Sequence, residues 1–368
     1  MLKTFFKELC CINAPSGSEE AVREYVLNHL PKYTEHRIDP LGNLIVRVNG
    51  DKTPQNNVML DAHMDEVGLI ICGITPDGFL KFKTVGGVEP AVLLSRKVMF
   101  LNGISGVICT KPVHQLTDDE RDGFPQTDEL YIDIGAANIK EANELIKPGD
   151  TAVFATPYCE MENGRVVSKA IDDRAGCAVL LELINNFRDF SYTVTFTVQE
   201  EVGLRGARTA AYSVSPDYAI VVEATTAADI AGVTNEKQVC RLSDGAVVSY
   251  MDSATLYDKA LYSLALATAE NCGIAAQTKQ LPTGGNNAGA IHLSRGGIKT
   301  VSLSVPCRYI HSPSCVADFG DIQSVYELCR ELLIKLSNLF FPLMGYCTSW
   351  QIRLIYRSTE RLFMLPAY

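Results

Sequence analysis

Four apolar, largely β-branched runs in this chain are each followed closely by polar, chemically capable side chains. Val58-Met59-Leu60 leads to Asp61 and His63, and Tyr192–Val198 to Gln199-Glu200-Glu201. Ala219–Val222 leads to Glu223, and Val301–Val305 toward His311. Such runs read as strands, and helical patterns lie between them, so the chain reads as α/β. In open α/β sheets ligands bind at the carboxyl ends of strands, which is where these polar groups fall.

The α/β rhythm is interrupted once. Helices are expected at 2–12 and 18–30, with Ser16 and Glu19 forming a capping box for the second, followed by strands at Asn43–Val48 and Asn57–Asp61. From about Val67 to Ser168 the texture changes. Short β-rich runs (68–74, 79–84, 97–101, 106–110, 130–134, 151–155, 165–168) alternate with turn signals such as Pro76-Asp77-Gly78 and Asn102-Gly103. This predicts a small all-β module, a barrel or a sandwich. After Asp172 the alternation resumes, with helices expected at 173–187, 203–212, 255–271, 286–294 and 321–340. The expected organisation is a discontinuous catalytic α/β domain (1–66 plus 168–343), an inserted β-rich domain (67–167) and an atypical tail (344–368). In that tail Arg353, Arg357 and Arg361 recur at a spacing of four, and Trp350 is the only tryptophan.

Composition narrows the function classes. A net charge of −10 argues against nucleic acid and anionic membrane as partners. The most apolar candidate for a membrane span, Leu332–Leu343, is broken by Lys335, Ser337 and Pro342. No signal-peptide pattern opens the chain and no CxxC pair occurs among its 12 cysteines. Buried free thiols in a reducing cytoplasm are therefore expected.

The polar clusters carry metal-site chemistry. His63-x-Asp65 pairs an imidazole ligand with a carboxylate able to fix its tautomer, against the plainer reading of a histidine in a loop. In Asp172-Asp173-Arg174 one carboxylate could bridge two cations with its two oxygens, while helix capping competes for one of the pair. Glu200 and Glu201 are adjacent carboxylates at a strand end, where burial without a cation is unfavourable. One would serve as a ligand and the other as a general base on a metal-activated water. Glu223 and His311, each alone, read as solvated strand ends rather than as ligands.

Together, Asp61-Ala-His-Met-Asp-Glu-Val-Gly68, Ala170-Ile-Asp-Asp-Arg-Ala-Gly176, Gln199-Glu-Glu-Val-Gly203, Glu223 and Arg308-Tyr-Ile-His-Ser-Pro313 resemble the tetrahedral, or deblocking, aminopeptidases. That family includes glutamyl aminopeptidases and some members labelled endoglucanase. The resemblance spans about residues 1–340. It implies a zinc-peptidase-like α/β/α sandwich with an inserted barrel-like domain, and two divalent ions, zinc or cobalt. His63 would bind one ion and His311 the other, Asp172 would bridge them, and Glu201 and Glu223 would complete the shells. Glu200 would be general base and proton shuttle, Asp65 would orient His63, and a cis peptide is expected at Asp65–Glu66. The insertion would form dimers that build a twelve-subunit homo-oligomer. Two positions depart from the family: Glu223 stands where Asp is frequent, and Asn287, in a glycine-rich loop expected to border the substrate, stands where Asp is usual.

The function implied is a cytoplasmic metallo-aminopeptidase that removes N-terminal residues from peptides. Two other readings belong to different classes. A non-catalytic, metal-stabilised scaffold would bind metal without turnover. A glycoside hydrolase would use two carboxylates roughly 5–9.5 Å apart and leave both histidines without a role.

Overall fold

A computed structural model describes residues 1–117 and 123–339. The tail at 344–368, with Trp350 and its three spaced arginines, lies outside the described residues. The strands, in chain order, are β1 (Thr34–Ile38), β2 (Leu44–Val48), β3 (Val58–His63), β4 (Gly68–Ile74), β5 (Leu80–Val85), β6 (Lys97–Phe100), β7 (Ser105–Cys109), β8 (Tyr131–Asp133) and β9 (Thr151–Phe154). They continue with β10 (Cys159–Glu160), β11 (Arg165–Ser168), β12 (Tyr192–Thr197), β13 (Tyr218–Thr226), β14 (Ala246–Val248), β15 (Ala276–Thr278), β16 (Lys299–Arg308) and β17 (Cys315–Asp318). The helices are α1 (Leu2–Cys10), α2 (Glu20–Asn28), α3 (Ile139–Leu145), α4 (Ile171–Asn186), α5 (Arg205–Val214), α6 (Lys259–Cys272), α7 (Ala288–Ile291) and α8 (Phe319–Asn338).

One large sheet runs in the order β1-β2-β12-β3-β13-β16-β17-β11-β10, with β14 and β15 attached beside β16. Its centre, β12, β3, β13 and β16, is parallel. Every residue of β3 and β12 is buried, the three threonines of β12 and the Asp61 and His63 of β3 included, as fits parallel strands covered on both faces. On one face, Met59, Ala219 and Val221 pack with Ala207 and Ala211 of α5 and with Ala288 and Ile291 of α7. Helices α1, α4 and α8 pack together as the opposite layer, so the predicted α/β/α sandwich forms. The second architecture is a closed barrel, β4-β5-β8-β7-β6-β9, filled by Leu69, Ile71, Leu80, Phe82, Val98, Phe100, Ile108, Ile132 and Phe154. The inserted barrel-like module is thus a true barrel. No helix among the described residues is long and apolar enough to cross a membrane.

Several local expectations are corrected. Strand β1 was not anticipated because Thr-Glu-His-Arg-Ile is largely exposed; its pairing with β2, not its composition, makes it a strand. Residues 165–168, which share the texture of the β module, pair with β17 of the large sheet. The helix expected at 286–294 shrinks to Ala288–Ile291. Glu223 does not end its strand; β13 continues to Thr226. All eleven described cysteines are free thiols, but Cys11, Cys72, Cys159 and Cys272 are exposed rather than buried.

Candidate metal centre

The parallel strands deliver their polar ends to one place. His63 closes β3, Glu200 and Glu201 lie in the turn after β12, Glu223 sits within β13, and Asp172 opens α4. His311 lies in the turn between β16 and β17, with a left-handed backbone (φ +57°).

Asp172 stands between the two histidines. Its Oδ1 is 3.1 Å from His63 Nε2, and its Oδ2 is 3.2 Å from His311 Nε2. Each histidine then meets its own glutamate. Glu223 Oε1 is 3.3 Å from His63 Nε2, and Glu201 Oε2 is 3.2 Å from His311 Nε2. The five residues predicted as ligands therefore form two His–Asp–Glu triads sharing the two oxygens of one aspartate. Their other ring nitrogens are held from behind. His63 Nδ1 lies 3.0 Å from the Asp65 carbonyl, and His311 Nδ1 lies 3.1 Å from the Gly87 carbonyl. Gly87 follows β5, so the barrel contributes backbone to the site. Its neighbour Gly86 has φ +85°, and a Cβ there would press on Glu201 Cβ at 3.2 Å.

Asp173 plays a different part from Asp172. Its Oδ1 accepts from the Gly176 amide at 2.8 Å, a helix-capping bond, so the capping role falls on one aspartate only. A ligand atom of Asp173 nonetheless lies within 4.8 Å of His63 and Glu223 ligand atoms, which makes it a further candidate that the sequence left as a cap. A second close group is His63, Asp172 and Glu201. The cis peptide expected at Asp65–Glu66 is found instead between Asp172 and Asp173.

The electrostatics are those of a cation site. Burial pushes Glu201 up to about 8 against the pull of His311, and Asp172 adds to the rise. Burial also raises Glu223 and Asp173 well above the usual carboxylate range. Glu200 is raised too, by burial and by Glu201 and Asp172, with His63 opposing. Burial opposes ionisation of Asp172, yet His311 and His63 outweigh it and hold its carboxyl low. Burial alone would lower both histidines, but the surrounding carboxylates raise them, His311 to about 10. Three buried carboxylate oxygens, Glu201 Oε1, Glu223 Oε2 and Asp173 Oδ2, accept no hydrogen bond. Two imidazoles, a surplus of carboxylates and unsatisfied anionic oxygens match the donor set of a borderline divalent ion.

Asp65, expected to orient His63, has its Oδ1 3.4 Å from His63 Nδ1 and also does work that the sequence did not reveal. Asp65, fully buried, accepts the amides of Glu200 (3.0 Å) and Glu201 (3.1 Å) and the hydroxyl of Ser16 (2.6 Å). Its carboxylate thus holds the Glu200–Glu201 turn, while its carbonyl meets His63. Ser16 and Glu19 do not form the predicted capping box; Glu19 Oε1 accepts from Gln199 N instead. Glu66 accepts from Lys169 at 2.7 Å and Arg174 at 3.0 Å, and all three are buried. Asn287, in the glycine-rich loop expected to border the substrate, has a fully buried side chain that donates to Asp61 and Thr197, both at 2.8 Å. Its departure from Asp therefore concerns the support behind β3 and β12. An acidic residue there would face the carboxylate of Asp61.

The chain is similar in sequence and fold to known proteins. The model of the family described as M42 glutamyl aminopeptidase matches residues 42–328. The glutamyl aminopeptidase of Lactococcus lactis subsp. cremoris is 30% identical over 349 residues, covering 90% of this chain and 96% of its own. Aminopeptidase APDkam598 of the archaeon Desulfurococcus kamchatkensis superimposes with a TM-score of 0.85 at 34% identity, covering 90% of this chain and 93% of its own. The TET1 peptidase of Pyrococcus horikoshii, which can assemble into a tetrahedron or a large octahedral shell, superimposes with a TM-score of 0.80 at 33% identity, covering 90% of this chain and 99% of its own.

Proposed function

The chain belongs to the M42 glutamyl aminopeptidase family, and on that premise we propose that it is a metal-dependent aminopeptidase acting on the free N-termini of peptides. The observation that carries this reading is the placement of Asp172, one oxygen toward His63 and the other toward His311. One divalent ion, zinc or cobalt, would be held by His63, Asp172 and Glu223, and a second by His311, Asp172 and Glu201. When bound, such ions supply Lewis-acid polarisation and offset the buried negative charge.

The chain's own residues do the proton work. Glu200 projects from the same turn as Glu201, among the carboxylates of the site. As carboxylate it takes a proton from the attacking water. It then delivers that proton to the amine as the carbon–nitrogen bond of the first peptide link breaks, so acid and base are one group used twice. Asp65 fixes that turn through two amides and His63 through its carbonyl.

Residues 1–66 and 168–343 are assigned the catalytic work, and the inserted module the assembly of dimers into a twelve-subunit homo-oligomer. The relation to TET peptidases supports this reading, since the TET1 peptidase of Pyrococcus horikoshii can assemble into a tetrahedron. A cytoplasmic location fits the free cysteines.

The deciding experiment is a panel of aminoacyl anilides and short peptides assayed with zinc, cobalt, manganese and chelator. Release of N-terminal residues that chelation abolishes is expected. Undiminished turnover in chelator, or tight metal binding with no turnover on any peptide, sinks the reading.

A further inference from the structure

The turn that carries Glu200 is held amide by amide. Val198 N donates to Asn43 Oδ1 at 3.0 Å and Gln199 N to Glu19 Oε1 at 3.1 Å. Glu200 N and Glu201 N donate to the two carboxylate oxygens of Asp65. Four consecutive main-chain amides are thus accepted by side chains from three distant segments. Within this series Gln199 is the exceptional residue, with φ +56°, the left-handed region that non-glycine residues rarely occupy. The direction in which Glu200 leaves the chain depends on that conformation.

Among the described residues the Glu19 side chain is held by main-chain amides. It is buried at 3% exposure, it stands at the start of α2, and it does not cap that helix. Its Oε1 accepts from the amides of Gly17 (2.7 Å) and Gln199 (3.1 Å), the latter 180 positions away in sequence. No cation lies within ion-pair distance of it among the described residues. A buried carboxylate without a countercharge is unfavourable unless its hydrogen bonds are strong and fixed.

We propose that Glu19 is a positioning residue for the peptidase reaction: by accepting the Gln199 amide it locks the left-handed turn that aims Glu200. The connection between α1 and α2 thereby becomes part of the site, with Ser16 bracing Asp65 and Glu19 bracing Gln199. This proposal rests on the aminopeptidase reading for its kinetic consequence, but its structural half can be measured without activity.

The test uses the full chain with Glu19→Ala, Glu19→Gln and Glu19→Asp. Amide hydrogen exchange over residues 198–203, measured on metal-free protein, should rise at least about tenfold in Glu19→Ala, because the acceptor is lost. On the metal-loaded enzyme kcat should fall by roughly 10–100-fold, the usual scale for outer-shell positioning groups. KM and metal affinity should stay within about threefold, since Glu19 touches neither substrate nor ligand. Glu19→Gln, which keeps an oxygen acceptor of the same reach, should recover most of kcat. Glu19→Asp, which keeps the charge on a shorter arm, should not. If Glu19→Ala does not fold, the Asp and Gln variants carry the same decision. Unchanged exchange at 198–203, wild-type kcat in Glu19→Asp, or metal affinity falling in step with kcat would each overturn the proposal. Should the wild-type chain cleave no peptide, the functional reading fails, and the exchange measurement still judges the clamp.

Discussion

The two halves of the candidate centre are made of the same residue types but differ in how the fold holds them. The His63–Glu223 half lies between adjacent parallel strands; the His63 side chain is 1% exposed and Glu223 is in the middle of its strand. The His311–Glu201 half sits on turns; the His311 side chain is 34% exposed and is tied to the barrel edge by Gly87. Asp172 joins them. The strand-borne half is enclosed on both sides, whereas the turn-borne half opens to solvent at His311 although its Glu201 is buried.

The largest effects should come from groups that both halves share. Asp172→Asn removes the common charge and is expected to lower kcat/KM by at least as much as Glu200→Gln, roughly 10²–10⁴-fold. Metal analysis should show loss of both ions in the first variant and retention of both in the second. Near-normal activity in Glu200→Gln with full metal would end its role as proton carrier.

Next come the histidines, which separate the halves directly. His63→Ala leaves buried Asp65, Asp172 and Glu223 without their shared partner and should destabilise the metal-free protein by about 3–5 kcal/mol. His311→Ala removes a partly exposed imidazole but leaves buried Asp172 and Glu201 without it, so it should destabilise the metal-free protein by less than His63→Ala while weakening metal binding at that half. Equal destabilisation in thermal or urea unfolding would erase the contrast between the halves.

Chelation offers a milder version of the same contrast. Dialysis against a weak chelator should remove the ions in two phases, the first losing the ligand environment of His311, followed by cobalt absorption or metal-edge spectroscopy. A single phase with both ions leaving together would contradict the distinction. The smallest effect expected is that of Glu223→Asp. The shorter arm should change ion affinity at the His63 half by about tenfold or less, because ligand chemistry is kept and only reach is altered.

Much of this was legible before the fold was known. The buried parallel strands announced themselves as apolar runs, and His63, Glu201, Glu223, Asp172 and His311, expected as ligands from the family pattern, are brought together by the fold. The barrel strands showed as short β runs between turn signals. What was misread shares one cause. Ser16-Gly-Ser-Glu19 has the spacing of a capping box, but Asp65 and Gln199, brought in from 49 and 180 positions away, take those side chains instead. Asn287 lies in a glycine-rich loop, yet its side chain turns to Asp61, 226 positions away, and no local pattern points to that partner.

The sequence by itself determined most of the buried strands and longer helices and which side chains are available for chemistry, because both follow from local periodicity and residue type; an exposed edge strand such as β1 exists only through its pairing. Only the tertiary structure decided between neighbours that the sequence leaves equivalent. Asp172 and Asp173 are chemically the same and adjacent, yet one faces both histidines and the other caps α4. That choice is set by backbone direction and strand register, which contacts between distant segments fix.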